Sequence, residues 1–299
     1  MNLTGIKTFL AIVETQSLSK AAEKLFLSQS TVSYRLNTLE KELNTKLIER
    51  DQGQQIIRLT NKGEEFVNIA KRWIALQRDT DMWINNESPL KLNIGSVDSI
   101  NTYLLTKVYR DILQNETSFQ LNISSHWSRT IFDLLECYEI DIGIVPRMIR
   151  TKNLLGKPMF SEKLVFVSNP YYSDYDDFVH PENLDVRKEV FLDWGASFQT
   201  WHDSWWDPAE AIEIAVDTVG LIFNFLNRPK AWAILPESIA RTYEKIHNYK
   251  ISEFIESPPE RIYYKVVHRD PLPRVIKPLK IFDSYLQQFV NENPFLNNL

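Results

Sequence analysis

One cysteine, Cys137, stands in 299 residues, so an internal disulfide is unavailable and the chain is expected in a reducing compartment, the cytoplasm. Long apolar runs are missing too. None approaches the roughly 20 residues that a membrane-spanning helix needs. The first 15 residues carry an amphipathic pattern instead of a basic stretch before an apolar block. Neither export nor membrane insertion is expected. A strong excess of one charge is absent: the net charge of −5 excludes a chain that coats nucleic acid along its length, so any DNA contact has to be local. Residues 1–60 hold eight lysines and arginines against six carboxylates, a tilt too small to decide anything alone. There is no glycine-rich phosphate loop, nucleophile elbow or His–carboxylate spacing, and the five histidines are scattered. No catalysis, cofactor or metal is therefore expected. A lone cysteine without a resolving partner also argues against a redox sensor.

What is present points to several folded parts. A chain of this length exceeds what one core usually organises, and 43% apolar with 24% charged residues is the make-up of a globular protein. Leu3, Ile6, Phe9, Leu10 and Val13 recur at helical spacing. Ser17 can cap a second helix with Leu18, Ala21, Ala22 and Leu25 inside, and Ser28 a third, whose inner positions are Val32, Leu36, Leu39 and Leu43. That third helix turns Gln29, Ser30, Thr31, Ser33, Tyr34 and Arg35 outward near its start. Asn44 follows where a left-handed residue is favoured. Residues 47–50 and 55–59 form two β-prone runs around residues 51–54, a wing with Arg50 and Arg58 on its arms.

Thr60 then caps a helix from about Asn61 to Asn86, roughly 39 Å long at 1.5 Å per residue. Phe66, Ile69, Trp73, Leu76, Thr80 and Trp83 step by threes and fours along it, a seam suited to a second copy of the helix, with packing on its own domain as the alternative. From Lys91 strands alternate with helices. Strands are expected at Leu92–Val97, Phe119–Ser124, Asp141–Val145, Leu164–Ser168, Val190–Asp193, Ala211–Val216, Ala231–Leu235 and Ile262–Val267. Helices are expected near Tyr103–Leu113, Ser128–Cys137 and, closing the chain, Pro278–Phe289. This alternation is the mark of parallel α/β layers.

Five consecutive blocks carry a resemblance: residues 9–14 (FLAIVE), 17–22 (SLSKAA), 27–33 (LSQSTVS), 39–43 (LEKEL) and 59–63 (LTNKG). They are similar, in register, to the signature of LysR-type transcriptional regulators, and the resemblance covers essentially the whole chain. It implies an α+β protein with an N-terminal winged helix-turn-helix (1–60), a long linker and dimerisation helix (61–87), and a two-lobed α/β effector domain (88–299) like periplasmic solute-binding proteins. The lobes would be 88–162 plus 266–299 and 163–265, with the chain crossing near Ser161–Lys163 and Tyr264–Val266. The implied partners are duplex promoter DNA, a small-molecule effector, RNA polymerase and further copies of the chain as a dimer of dimers. Departures from the family pattern are Tyr34 where many members carry Arg, Asn44 and Ile48 for a frequent Gly and Phe, and Tyr138 and residues 227–230 where glycines are common.

The expected DNA contacts are Gln29, Ser30, Thr31, Ser33, Tyr34, Arg35 and Arg50, with Gln29 and Arg35 suited to bidentate base contacts and Arg50 to backbone or minor groove. Dimerisation is assigned to Phe66, Ile69, Trp73 and Leu76. By resemblance the effector, a carboxylate being one candidate, would touch Ser96, Asp98 and Ser99 after the first strand, Ser124, Ser125 and Ser128 after the second, Arg147 and Thr218. Four of the eight tryptophans fall in residues 191–206. Trp194, Phe198, Trp201 and Trp205 share one helical face, and two readings stay open for it: domain core, or an aromatic wall of the cleft that adds Trp201 to the effector contacts.

Overall fold

The computed structural model describes residues 2–49, 57–84, 90–208 and 212–299, save the side chains of Met82, Trp83 and His247. Contacts divide the chain into two units, residues 1–88 with 133–139 and residues 89–132 with 140–299. No helix among the described residues is long and apolar enough to cross a membrane.

The first unit begins with α1 (Leu3–Thr15), α2 (Leu18–Leu25) and α3 (Gln29–Glu42), each started by a polar side chain that satisfies an orphan helix N–H. Asn2 Oδ1 accepts from Gly5 N at 2.7 Å, Ser17 Oγ from Lys20 N at 3.4 Å, and Ser28 Oγ from Thr31 N at 3.2 Å. Gln16, Phe26 and Asn44 turn the chain after these helices with φ of 51°, 54° and 48°. Ile6, Phe9, Ile12, Ala21, Ala22, Val32, Leu36 and Leu39 close one core. The wing strands β1 (Ile48–Glu49) and β2 (Arg58–Leu59) pair antiparallel, Ile48 opposite Leu59. Arg50 and the wing tip lie outside the described residues. Next comes α4 (Asn61–Ile84), where Gly63 N donates to Thr60 Oγ1 at 2.9 Å.

The second unit runs β3 (Leu90–Ser96), a π-turn at Ile100–Leu104, α5 (Thr106–Asn115), β4 (Phe119–Ser125), α6 (Ser128–Glu136), β5 (Ile142–Val145), β6 (Leu154–Glu162), β7 (Leu164–Ser168), β8 (Phe178–Val179), β9 (Val190–Phe191), α7 (Ala196–Trp205), β10 (Ile214–Ala215), α8 (Val219–Phe225), β11 (Trp232–Pro236), α9 (Glu237–His247), β12 (Lys250–Phe254), β13 (Arg261–His268), α10 (Pro273–Glu292) and β14 (Asn297–Asn298). Two main sheets result, one in the order β14-β6-β13-β5-β3-β4 and the other β11-β7-β12-β8. They form the cores of two lobes.

The expected parallel layering holds only where a helix returns the chain, at β4-β3-β5, and in the short pairs β8–β12 and β9–β10. Elsewhere strands cross between lobes or fold back directly, and β13 pairs antiparallel with both β5 and β6. The strand β6 has no alternating pattern in sequence, and Pro158 sits in it. A register shift opposite Tyr263/Tyr264 accommodates that proline, where a ladder N–H is not required. The first lobe crossing passes through Lys163, between β6 and β7. The second is not at Tyr264–Val266: β13 is paired from Arg261 onward, so the chain has crossed before Arg261 and the first lobe takes in the whole strand.

Gly63 is held by a close approach. A Cβ there would lie 2.0 Å from Leu47 O, a backbone atom of the segment entering the wing. Alanine would gain about 1 kcal/mol of helix propensity, but overpacking against backbone costs about 1–3 kcal/mol and prevails. Gly63→Ala is therefore expected to lower the stability of the N-terminal unit, read as faster amide exchange in α1–α3 under native conditions. Unchanged or slower exchange would contradict the contact.

Candidate DNA-reading helix and interlobe cleft

On α3 the structure exposes Gln29, Ser30 and Tyr34, the last to 72%, while Thr31, Ser33 and Arg35 are half-buried. Thr31 is drawn into the cap, its hydroxyl 2.7 Å from that of Ser28, whereas Gln29 Oε1 accepts only a long 3.4 Å bond from Ser19 of α2. Arg35 makes no ion pair among the described residues. The helix and the wing are joined by a residue that the sequence hides in a charged run. Glu40, 4% exposed, accepts from the backbone N–H groups of Leu47 and Ile48 at 2.9 and 3.3 Å and from Lys46 Nζ at 2.7 Å. One carboxylate thus pins β1 to α3.

Of the seam on α4, Phe66 does not belong to an outward face. It is 6% exposed, its ring 5.3 Å from that of Phe9, and with Val67, Ala70 and Ile74 it packs on the winged domain's own core. The reason is position: in its first turns the helix still lies over α1, and an apolar step there closes that core. Ile69, Trp73 and Leu76 remain 54%, 41% and 44% exposed.

Between the lobes of the second unit lies a cleft of about 1150 Å³. Asp98 and Ser99 enter it after β3, Ser125 and Ser128 between β4 and α6, Arg147 after β5, and Thr218 just before α8, without a side-chain capping bond. Three expected residues are elsewhere. Ser96 is fully buried and donates to Ile144 O across the sheet, and Ser124 donates to Ile94 O at 3.3 Å, so both hydroxyls serve strand pairing. Trp201 packs in the second lobe's core, its ring 5.4 Å from Phe254 and 5.8 Å from Trp206. The aromatic stretch is divided between the two readings: Trp194 and Phe198 reach the cleft, and Trp201, Trp205 and Trp206 belong to the core.

Two buried groupings escape sequence reasoning. Glu162, fully buried, accepts from Tyr263 OH and, at 2.8 Å, from Ser238 N; burial pushes its carboxyl up, against the pull of those bonds and of the Arg261 charge. Arg261 is its register partner on β13 and lies beside the cleft. Under α7, His202 Nε2 is 2.7 Å from Glu189 Oε2, both within the core, and burial again raises the Glu189 pKa. No local pattern marks these residues, because Glu162 and Arg261 meet through strand register and Glu189 and His202 through the packing of α7, not through spacing. Among the described residues no group of three or more His, Cys, Asp or Glu is arranged to hold a metal.

A winged helix-turn-helix joined to a two-lobed domain with a central cleft defines a ligand-responsive transcription regulator. Residues 3–64 match the family of bacterial regulatory helix-turn-helix proteins of the lysR type, and residues 86–280 match the LysR substrate binding domain. The chain belongs to the LysR family: it is a DNA-binding transcription regulator whose second domain takes a small-molecule effector. It is 25% identical over 287 residues to the HTH-type transcriptional regulator HdfR of Yersinia pestis, covering 93% of this chain and 89% of that one. The Yersinia enterocolitica HdfR is likewise 25% identical, over 255 residues, covering 82% and 85%. These relatives are named as regulators, not enzymes. Full-length OxyR from Pseudomonas aeruginosa shares the fold with a TM-score of 0.65 and 20% identity, covering 96% of this chain and 95% of that one. LysG from Corynebacterium glutamicum, with effector Arg bound, gives 0.61 and 17%, covering 98% and 99%. A full-length CbnR in complex with its target DNA gives 0.53 and 17%, covering 97% and 99%.

Two outcomes follow from the second unit. Trp201→Ala removes a core ring and should cost about 3 kcal/mol of stability in chemical denaturation; an unchanged midpoint would return Trp201 to the cleft wall. Glu162, whose folded pKa lies above its ordinary 4.5, keeps its proton longer folded than unfolded, so its contribution is present below that value and is lost as pH rises. Relative to the parent, Glu162→Gln should therefore gain stability from about pH 5 toward neutrality. A parallel pH profile for the two proteins would contradict this.

Proposed function

We propose that Gln29, Ser30, Thr31, Ser33, Tyr34 and Arg35 form the face that reads the major groove, with Arg50 on the wing near backbone or minor groove. The observation that carries this is the polar set on the first turns of α3, with Gln29, Ser30 and Tyr34 exposed and bonded at most to near neighbours, since the N-terminal end of a recognition helix is the part the groove admits. Gln29 reads a base edge, its amide matching the adenine pattern, while Ser30 and Ser33 bind phosphates. Tyr34 supplies a hydroxyl and a ring where an arginine is frequent in the family, so the operator sequence is this chain's own.

In this reading residues 1–60 bind DNA, 61–87 link and dimerise, and 88–299 sense the effector. Ile69, Trp73 and Leu76 of α4 meet the same residues of a second copy. Three exposed apolar side chains on one helical stretch support that pairing, because such a stripe is otherwise left to water. Dimers associate further into a homotetramer on an interrupted dyad-symmetric promoter site in the cytoplasm, where the regulator contacts RNA polymerase. The effector occupies the interlobe cleft, touching Asp98, Ser99, Ser125, Ser128, Arg147 and Thr218, and changes the geometry of the complex on DNA.

Footprinting upstream of the chain's own gene should show two protected half-sites on one helical face. Gln29→Ala should weaken that specific binding about tenfold to a hundredfold while leaving binding to random duplex unchanged. Equal protection of random DNA would contradict sequence-specific regulation. Trp73→Glu should shift the full chain to a smaller assembly in analytical ultracentrifugation, and retention of the parent's mass would remove α4 from the interface.

A further inference from the structure

Arg261 opens β13 beside the cleft and is 8% exposed. A guanidinium so far removed from water is costly unless its charge and its N–H groups are met. Here they are met only in part. Its two terminal nitrogens share the hydroxyl of Ser99, each at 3.4 Å, the Tyr263 hydroxyl is a further hydrogen-bonding neighbour, and Nε, also buried, has no hydrogen-bond partner. No carboxylate among the described residues lies within ion-pair distance. Glu162, opposite it in strand register, is committed to Tyr263 and Ser238, and burial holds its carboxyl toward the neutral form. Of the carboxylates around the cleft, Asp98 bonds Thr102, Asp193 bonds Gly195 N, Glu260 bonds Ser161 and Asn297, and Asp217, just before α8, makes no ion pair with Arg261.

Two aromatic faces offset part of the cost, the Trp194 ring at 4.6 Å and the Tyr263 ring at 5.2 Å from the guanidinium carbon. Trp194 is itself fixed by its indole N–H, which donates to Ile234 O at 2.7 Å. Both rings orient the fork, and of their polar groups only the Tyr263 hydroxyl shares a hydrogen bond with it. The unmet chemistry is that of a planar, fixed, bidentate donor, and a carboxylate is the group that matches it.

We propose that Arg261 anchors a carboxylate of the ligand that occupies this cleft, with the Ser99 hydroxyl as a further donor and the Trp194 and Phe198 rings against the ligand's apolar part. This rests on the reading of the cleft as the effector site. It adds the residue that fixes the ligand's charge, and it makes the exposed Arg147 secondary to a cation already desolvated and held in place.

The test uses the full chain and three acids, hexanoate, phenylacetate and succinate, each set against its primary amide. Binding is read by calorimetric titration and by the thermal midpoint, which a ligand selective for the folded state raises. At least one acid is expected to bind while its amide does not. Arg261→Gln should weaken that acid at least tenfold, and Arg261→Lys, which keeps the charge but not the fork, should fall between. The ligand-free midpoint of Arg261→Gln should be equal to or above the parent's, because an unpaired buried charge has gone, which separates lost binding from lost folding.

Amides binding as well as acids, no acid binding at all, or an unchanged Kd in Arg261→Gln would each overturn the assignment. Thr218→Trp, which fills the cleft from the other lobe, separates the two levels. If it abolishes binding while Arg261→Gln does not, the cleft stands and the anchor is wrong. If neither changes the Kd, the acid sits elsewhere and the cleft reading itself fails.

Discussion

The pairing of Leu154–Glu162 with Arg261–His268 is the constraint on which the effector domain depends. Both strands lie at the lobe crossings, so their register sets which side chains stand together where the cleft opens. Glu162 opposite Arg261, with Tyr263 two residues along on the same face, follows directly from that register. The bulge at Pro158 lets the two strands stay paired although one contains a residue that cannot donate. A slip of one residue would turn Arg261 out of the cleft wall and Tyr263 away from Glu162.

The N-terminal unit is held by a comparable economy of contacts. Glu40 fastens the first wing strand to α3, and Gly63 lets α4 start against the backbone of Leu47. The first wing strand is thus held by that buried carboxylate and by the close start of α4, together with the bonds of Thr60 to Lys46 O and Leu47 O. What remains outward on α3 is polar, and what remains outward on α4 is apolar, the two kinds of surface that a DNA duplex and a second protein helix respectively cover.

Much of this was legible from residues alone. Ser17, Ser28 and Thr60 act as the caps their positions predict, and the departures at Asn44, Tyr138 and the 227–230 stretch fall on left-handed backbone, with Asn44, Tyr138 and Lys230 at φ of 48°, 56° and 58°. Local signals of that kind survive because a cap or a turn needs only near neighbours. An apolar period states that a face is covered, not by what, so Phe66 reads as part of the α4 seam although it closes the winged domain's own core. Helix–strand alternation cannot show which strands double back, so the antiparallel pairing of β13 is not legible in it. Ser96, Ser124 and Trp201 failed as cleft residues because hydroxyls at strand ends serve the sheet and large rings fill cores, and neither outcome is visible without the third dimension. Arg261 was missed for the opposite reason: a single arginine in a run of ordinary residues carries no pattern, and its significance is entirely in what fails to pair with it.

The proposed regulator couples a cleft selective for charge to α3 as the surface that a specific duplex covers. Hydrogen exchange of the full chain on its operator addresses that directly. The account predicts slowed exchange from Leu27 through Arg35 with operator DNA and none there with a scrambled duplex at the same salt. Protection absent from that segment, or equal with both duplexes, would contradict it.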